Sequence, residues 1–318
     1  MKDIRELSKT FVRLSAASVG LMYIGNKTIF SLSAGRNILK PGSGKYYHWK
    51  YGDVYYQKAG YGKPLVLLHH LDPSFSAYEW NEVIDTLSER YTVYAIDLPG
   101  CGRSSKPDLT YTNYFYVLFL KGFIKSVVRR PADVITDGYS FSIAVMTAAL
   151  DEHLIRHIYA VNPLSPKEFS RTENRKSRAA KALLSSPVFG TTVYNMENAH
   201  QRIDFAFTEE YLYNPFRSRD RFIDAFYESA HYQEGKGKYL LSCIEGLTMT
   251  VDIHRAVRSL GGRITIFIGE GVENGKYIAS TYQSLNKDIR VCAVPGTRYL
   301  PMMECPHEFL KAFGSAEA

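Results

Sequence analysis

Ser140 stands in Gly138-Tyr139-Ser140-Phe141-Ser142, between the apolar run Ala132-Asp133-Val134-Ile135-Thr136 and the helix-patterned stretch Ile143 to Ala149. A serine with a small residue two positions to either side, at a strand-to-helix turn, is the sequence form of a nucleophile elbow, where the tightness of the turn leaves little room for flanking side chains. The pattern predicts that the Ser140 hydroxyl points into a cleft as the nucleophile of an acyl transfer. Such a hydroxyl needs a base to take its proton and preorganised donors to hold the oxyanion that forms. Cysteine chemistry does not compete: Cys101, Cys243, Cys292 and Cys305 have no paired spacing and no Cys-x-x-Cys. That argues against a structural zinc site and for a reducing, cytoplasmic compartment. No cofactor or metal is expected.

The elements that must position this serine follow from apolar periodicity. An aromatic-rich run from Tyr46, the turn Gly52-Asp53 and a second run through Ala59 read as a hairpin. Leu65 to His69, Tyr91 to Ile96, Ala132 to Thr136 and His157 to Val161 read as strands, and Arg263 to Ile268 and Ile289 to Val294 as the last two. Several are apolar on both faces, as buried parallel strands are. Helices are predicted over Trp80–Glu89 and Tyr114–Val128. The alternation predicts a doubly wound, mostly parallel α/β sheet. Between Pro163 and Gly262 lie about 100 residues of helical pattern, far beyond an ordinary connection. They are expected to form a cap over the carboxyl ends of the strands, inserted between the sixth and seventh core strands, where open α/β sheets bind ligands. The expected division is an N-terminal segment 1–40, a core of 46–163 and 263–313, and a cap of 164–262, with Pro41-Gly42-Ser43-Gly44 as linker.

Three motifs in this order resemble the α/β-hydrolase superfamily, in particular its cap-bearing esterase, epoxide-hydrolase, haloalkane-dehalogenase and carbon–carbon hydrolase branch. They are His69-His70-Leu71-Asp72-Pro73 after the first central strand, Asp97-Leu98-Pro99-Gly100-Cys101-Gly102-Arg103-Ser104, and the Ser140 segment. The resemblance implies oxyanion donors at the backbone N–H groups of Leu71 and Phe141. It also implies a base in the segment Pro295 to Pro306, where tyrosine, Tyr299, stands in the histidine's place. A phenol, with an ordinary pKa near 10, is a poor proton acceptor at pH 7 beside imidazole near 6.5. The family acid is missing as well: Val272 occupies its position in Gly269-Glu270-Gly271-Val272, with Glu273 one residue late. His70 replaces the loop glycine beside the oxyanion donors, and its ring either lines the pocket, serves as an unorthodox base or turns outward. Losing the histidine of such a triad costs about a millionfold in turnover, while binding and the oxyanion hole retain roughly 10³–10⁴ over water. The expectation is therefore a protein that binds, or very slowly turns over, a small apolar acyl or ester-like ligand. The alternatives are an active serine ester hydrolase with a non-standard base and a membrane-associated interaction protein.

Net charge is +7 with a pI near 9.0. There is no interleaving of basic and aromatic residues of the kind that binds nucleic acid. A basic balance suits solubility or an anionic membrane surface. The first turns carry Lys2, Arg5, Lys9 and Arg13 against Asp3 and Glu6, followed by the uncharged run Leu14 to Ile24. Eleven residues are too few to span a bilayer. Phe11, Leu14, Ser18, Leu21, Met22, Gly25, Ile29 and Leu32 fall on one face of a helix expected over residues 5–33. Packing on the domain, attachment at a membrane interface, and a signal peptide ending near Ser31-Leu32-Ser33 are all compatible with it. In the cap, Ser170 to Lys181 holds five basic residues and one acid, which reads as a solvated helix face or a membrane contact.

Overall fold

In the computed structural model, residues 2–33, 37–39 and 44–317 are described, without the side chains of residues 2–9 and 12. Eight strands form one sheet: β1 (Lys45–Trp49), β2 (Gly52–Ala59), β3 (Lys63–Leu68), β4 (Tyr91–Ile96), β5 (Ala132–Asp137), β6 (Ile155–Val161), β7 (Ile264–Gly269) and β8 (Arg290–Val294). Their spatial order is β1-β2-β4-β3-β5-β6-β7-β8, with β1, β2 and β4 joined antiparallel and every other pair parallel. Every residue of β4, β5 and β7 is buried, so these strands carry Val, Ile, Ala, Thr and aromatic residues on both faces.

Helices cover both faces. One apolar layer, which includes the helices Asn113–Phe123, Ser140–Leu150 and His254–Leu260, packs around Val66, Val134, Ile158 and Ile266. The other joins Trp80, Phe309 and Phe313 to Leu65, Val93, Ile135 and Phe267. Between β6 and β7 the chain builds helices only, among them Arg175–Ser185, Phe189–Glu197, Asp220–His231 and Lys238–Glu245. The helix expected over Trp80–Glu89 is instead a 3-10 turn, Ala77–Trp80, followed by a short helix, Ile84–Ser88. Ser76 caps the former, and the buried Trp80 ends it against Phe309. The N-terminal helix runs Lys2–Ser33. Of the expected linker, Pro41 to Ser43 lie outside the described residues.

One buried ion pair braces the turn that leads out of β4. Arg103 donates to both oxygens of Asp97, Nε to Oδ2 at 2.7 Å and Nη2 to Oδ1 at 2.9 Å, while its guanidinium lies over the Tyr55 ring at 3.8 Å. Asp97 also accepts the backbone N–H groups of Ala77 and Arg103. Burial pushes the Asp97 carboxyl up, but the charge and hydrogen bonds of Arg103 outweigh it and hold it below the usual carboxylate range. Removing one partner of such a pair strands a buried charge, which costs about 3–5 kcal/mol. Arg103→Met is expected to lower unfolding free energy by that order in urea titrations. A loss under about 1 kcal/mol would show that the pair does not brace the turn.

Candidate functional site

A cavity of about 580 Å³ opens at the carboxyl ends of β5, β6 and β7, beneath the first turns of the inserted segment. Its walls are mainly apolar and aromatic: Phe75, Leu164, Tyr211, Ile268, Val272, Tyr277, Ile278, Tyr299 and Leu300. Its polar lining is His70, Asp137, Asn162, Ser165, Glu168 and Glu273. Glu168 is committed to a capping box with Ser165, and Glu273 pairs with Arg298 at 3.1 Å. Among the described residues no cluster of three or more His, Cys, Asp or Glu side chains is arranged to hold a metal ion.

The Ser140 hydroxyl does not face this cavity, contrary to the sequence expectation. β5 continues one residue further than the apolar run suggests, to Asp137; Gly138 and Tyr139 form the turn, and Ser140 already begins the helix Ser140–Leu150. Ser140 is wholly buried. Its Oγ accepts the Asp137 N–H at 3.1 Å and lies 2.9 Å from Asp137 O and 3.1 Å from Leu68 O, either of which takes its proton. The hydroxyl ties β5 to β3 beneath the turn. The tip of the turn is Gly138, with φ +48°, a left-handed conformation that a side chain strains to adopt.

Of the expected oxyanion donors, the Phe141 N–H falls elsewhere. The Phe141 N–H lies 3.4 Å from Gly138 O, a bond of the helix's first turn, and the Phe141 side chain is fully buried. The Leu71 side chain is buried in the core. The residue after the tip is Tyr139, and its N–H donates to His70 Nδ1 at 3.3 Å. A Cβ on residue 138 would collide with that same nitrogen. The imidazole of His70 therefore fills the space a side chain at the turn tip would need. With Nδ1 accepting, the neutral ring carries its proton on Nε2. Burial holds the ring's pKa below the ordinary histidine value, with the nearby Asp72 opposing, so neutrality at pH 7 agrees with the geometry.

The sequence-predicted base and acid positions lie around the same cavity. Tyr299 is half-buried in its wall; its N–H donates to Tyr211 O at 2.9 Å, and Ser140 is not a partner. Burial raises its phenol above 10, which weakens it further as a base at neutral pH. Val272 lines the wall and Glu273 the rim. Asn162 sits at the end of β6 with φ +40° and ties its turn to the loop at Arg298 and Tyr299 and to the end of β7. Its Nδ2 donates to Arg298 O and Tyr299 O at 3.0 Å each, and its Oδ1 accepts the Gly269 N–H at 2.9 Å. The dipeptide Asn162-Pro163 after a strand was the available turn signal.

Two carboxyls are buried under the floor. Glu79 Oε2 accepts the His70 N–H at 3.0 Å, while Glu79 Oε1 and Asp137 Oδ1 are each buried without a donor. Burial raises both groups well above the usual carboxylate range, and the charge of Asp137 raises Glu79 further. Two buried carboxyls close together cannot both ionise cheaply, which favours the protonated form of each over that of a free carboxyl.

The chain belongs to the α/β-hydrolase family: the family's sequence model matches residues 65–312. Its curated relatives match over shorter stretches. A soluble epoxide hydrolase of Corynebacterium sp. (strain C12) is 31% identical over 109 residues, 34% of this chain and 37% of the relative. A 2-hydroxy-6-oxo-6-(2'-aminophenyl)hexa-2,4-dienoic acid hydrolase of Metapseudomonas resinovorans is 37% identical over 73 residues, 23% of this chain and 25% of the relative. The chain thus spans between a quarter and two fifths of the length of these two. Among solved structures, a serine hydrolase of carbazole degradation matches with TM-score 0.70 at 17% identity over 86% of this chain and 98% of that one. A membrane phospholipase A matches with TM-score 0.65 at 16% identity over 98% of both chains. At these identities the structures share the fold alone.

Two outcomes are expected. Ser140→Ala removes a buried hydroxyl that joins β3 to β5 and should destabilise by about 1–3 kcal/mol while leaving ligand uptake by the cavity unchanged. Loss of uptake in a variant that retains its stability would place the hydroxyl in the site after all. For the carboxyl pair, the folded values lie above the unfolded values near 4, so the folded state holds more protons between the two. The stability contribution is complete below about pH 4 and is lost as pH rises through the raised folded values. Asp137→Asn should flatten that decline, so that its melting temperature relative to the parent is higher at pH 8 than at pH 4.5. An identical pH dependence for both proteins would contradict the raised carboxyl values.

Proposed function

We propose that this chain uses its cavity to bind a small, largely apolar ligand with an ester- or acyl-like polar end, and that it does not carry out serine-type acyl transfer. The observation that carries this reading is Gly138 at the tip of the turn. A nucleophile elbow places the nucleophile on the sharp, strained residue between strand and helix, exposed at the top of the sheet. That residue is Gly138, with Thr136 and Ser140 at the small flanking positions on either side. The donor of an oxyanion hole would be the Tyr139 N–H, and His70 Nδ1 already engages it. Nucleophile, base and acid positions thus hold Gly138, Tyr299 and Val272. The retained cavity, within the range of ligand pockets and chiefly apolar, supports binding. His70 as a base has no hydroxyl to activate at the tip.

The curated relatives act on an epoxide and a hexadienoic acid, as their names state, which favours a compact apolar molecule with oxygen at one end. Wild-type protein is expected to resist an activity-based fluorophosphonate. Gly138→Ser alone should also stay inert, because its Cβ meets His70. Gly138→Ser with His70→Gly and Tyr299→His should gain labelling at residue 138. Rapid labelling of wild-type protein at Ser140, followed by loss in Ser140→Ala, would overturn the proposal.

A further inference from the structure

The N-terminal helix is about 48 Å long at 1.5 Å per residue, yet among its described side chains only those from Met22 onward include packed ones. Asn26 fastens that end: its Nδ2 donates to Val188 O at 3.3 Å and Thr192 Oγ1 at 3.1 Å, and its Oδ1 accepts from Asn195 at 2.8 Å. Phe30 and Ser33 are buried beside it. From residue 13 to residue 21 every side chain is exposed. Phe11, Leu14, Leu21 and Leu32 are 72%, 63%, 72% and 71% exposed, and their spacing sets them on one side of the helix. No fold requirement explains four large apolar side chains in water along one stripe.

We infer that this stripe seats the protein on an anionic lipid surface, with the helix lying in the interface and the domain held against it through Asn26 and Phe30. Three observations favour lipid over a second copy of the chain. No helix of the described residues is long and apolar enough to cross a membrane, so the helix is suited to lie in the interface rather than span it. The segment is amphipathic, and its first thirteen residues carry Lys2, Arg5, Lys9 and Arg13 against two acids, within a chain of net charge +7. Like charge on two copies would repel, whereas anionic headgroups attract each basic residue near the surface. On the helix Phe189–Glu197, which receives the N-terminal helix, Phe189 and Met196 are also exposed.

The cap has a second cavity of about 430 Å³ beside this docking region. Leu183 lines it, and Tyr211 lines both it and the first cavity. The docking itself does not depend on what either cavity binds.

The test is co-sedimentation of the full chain with phosphatidylcholine vesicles, with and without phosphatidylglycerol. The comparison is a triple variant, Phe11→Ser, Leu14→Ser and Leu21→Ser, which alters exposed positions only and so folds as the parent does. The parent should partition into phosphatidylglycerol-containing vesicles, less so as salt is raised, and the variant should partition at least ~10-fold more weakly. Equal partitioning of parent and variant, or no partitioning of the parent, would overturn the inference. So would a lipid-free dimer of the parent that the variant dissolves, which would assign the stripe to a second copy. None of these outcomes bears on the Gly138 floor, which the fluorophosphonate experiment addresses separately.

Discussion

The site is organised by the hydrogen bond from the Tyr139 N–H to His70 Nδ1 across Gly138. It exists only because residue 138 has no Cβ: any side chain there would occupy the position of the imidazole nitrogen. Glycine at the tip and histidine in the facing loop are therefore one structural choice. The choice fixes the imidazole tautomer, occupies the backbone donor at the tip and leaves the floor of the cavity without a reactive hydroxyl. The His70 backbone is held from the other side, by Glu79 through its N–H and by His69 Nδ1 through its carbonyl. Burial pulls the His69 ring down to about 4, which keeps it neutral, and its Nε2 accepts the Leu98 N–H. The loop after β3 is thus braced against β4 and β5 before any ligand arrives.

This bracing explains how the cleft keeps its walls with glycine at the tip of the turn. The sheet order, the turn closed by Asp97 and Arg103, and the clasp of Asn162 on the loop before Tyr299 all hold the cavity walls in place. None of those contacts needs a catalytic residue. Ser140, freed from the tip, has become one of them, since its hydroxyl links Asp137 and Leu68 beneath the floor. The price is the buried pair Glu79 and Asp137, which ties stability to pH.

The fold was legible because its signals are local and redundant. Buried parallel strands read as apolar runs, and Asp97 to Ser104 is a long motif whose glycines take φ +91° and +47° at positions 100 and 102. The site was half legible. His70, which replaces a loop glycine, lines the cavity, and Tyr299 and Val272 lie in its wall. The register of the elbow is ambiguous in the sequence for a physical reason. Gly138-x-Ser140-x-Ser142 and Thr136-x-Gly138-x-Ser140 both put small residues two positions apart, and periodicity does not say whether the polar Asp137 closes the strand or opens the turn. The backbone decides by placing the left-handed residue at Gly138. Glu79 and Asp137 gave no sequence signal, since they lie far apart in the chain and meet only through the packing of the β3 loop on β5.

The measurement closest to the central claim is the protonation state of the His70 ring, read by nitrogen-15 NMR of imidazole-labelled full-length protein across pH 5 to 8. The bond to Tyr139 requires a neutral ring protonated on Nε2, with Nδ1 as acceptor, and burial keeps it neutral below the ordinary histidine pKa. The expected result is a single Nε2–H tautomer that does not titrate near 6.5, together with a Tyr139 amide shift that moves when His70 is replaced by glycine. A ring protonated on Nδ1, or one that titrates as a free imidazole, would mean that His70 does not engage the tip of the turn, and the account of the site would fail with it.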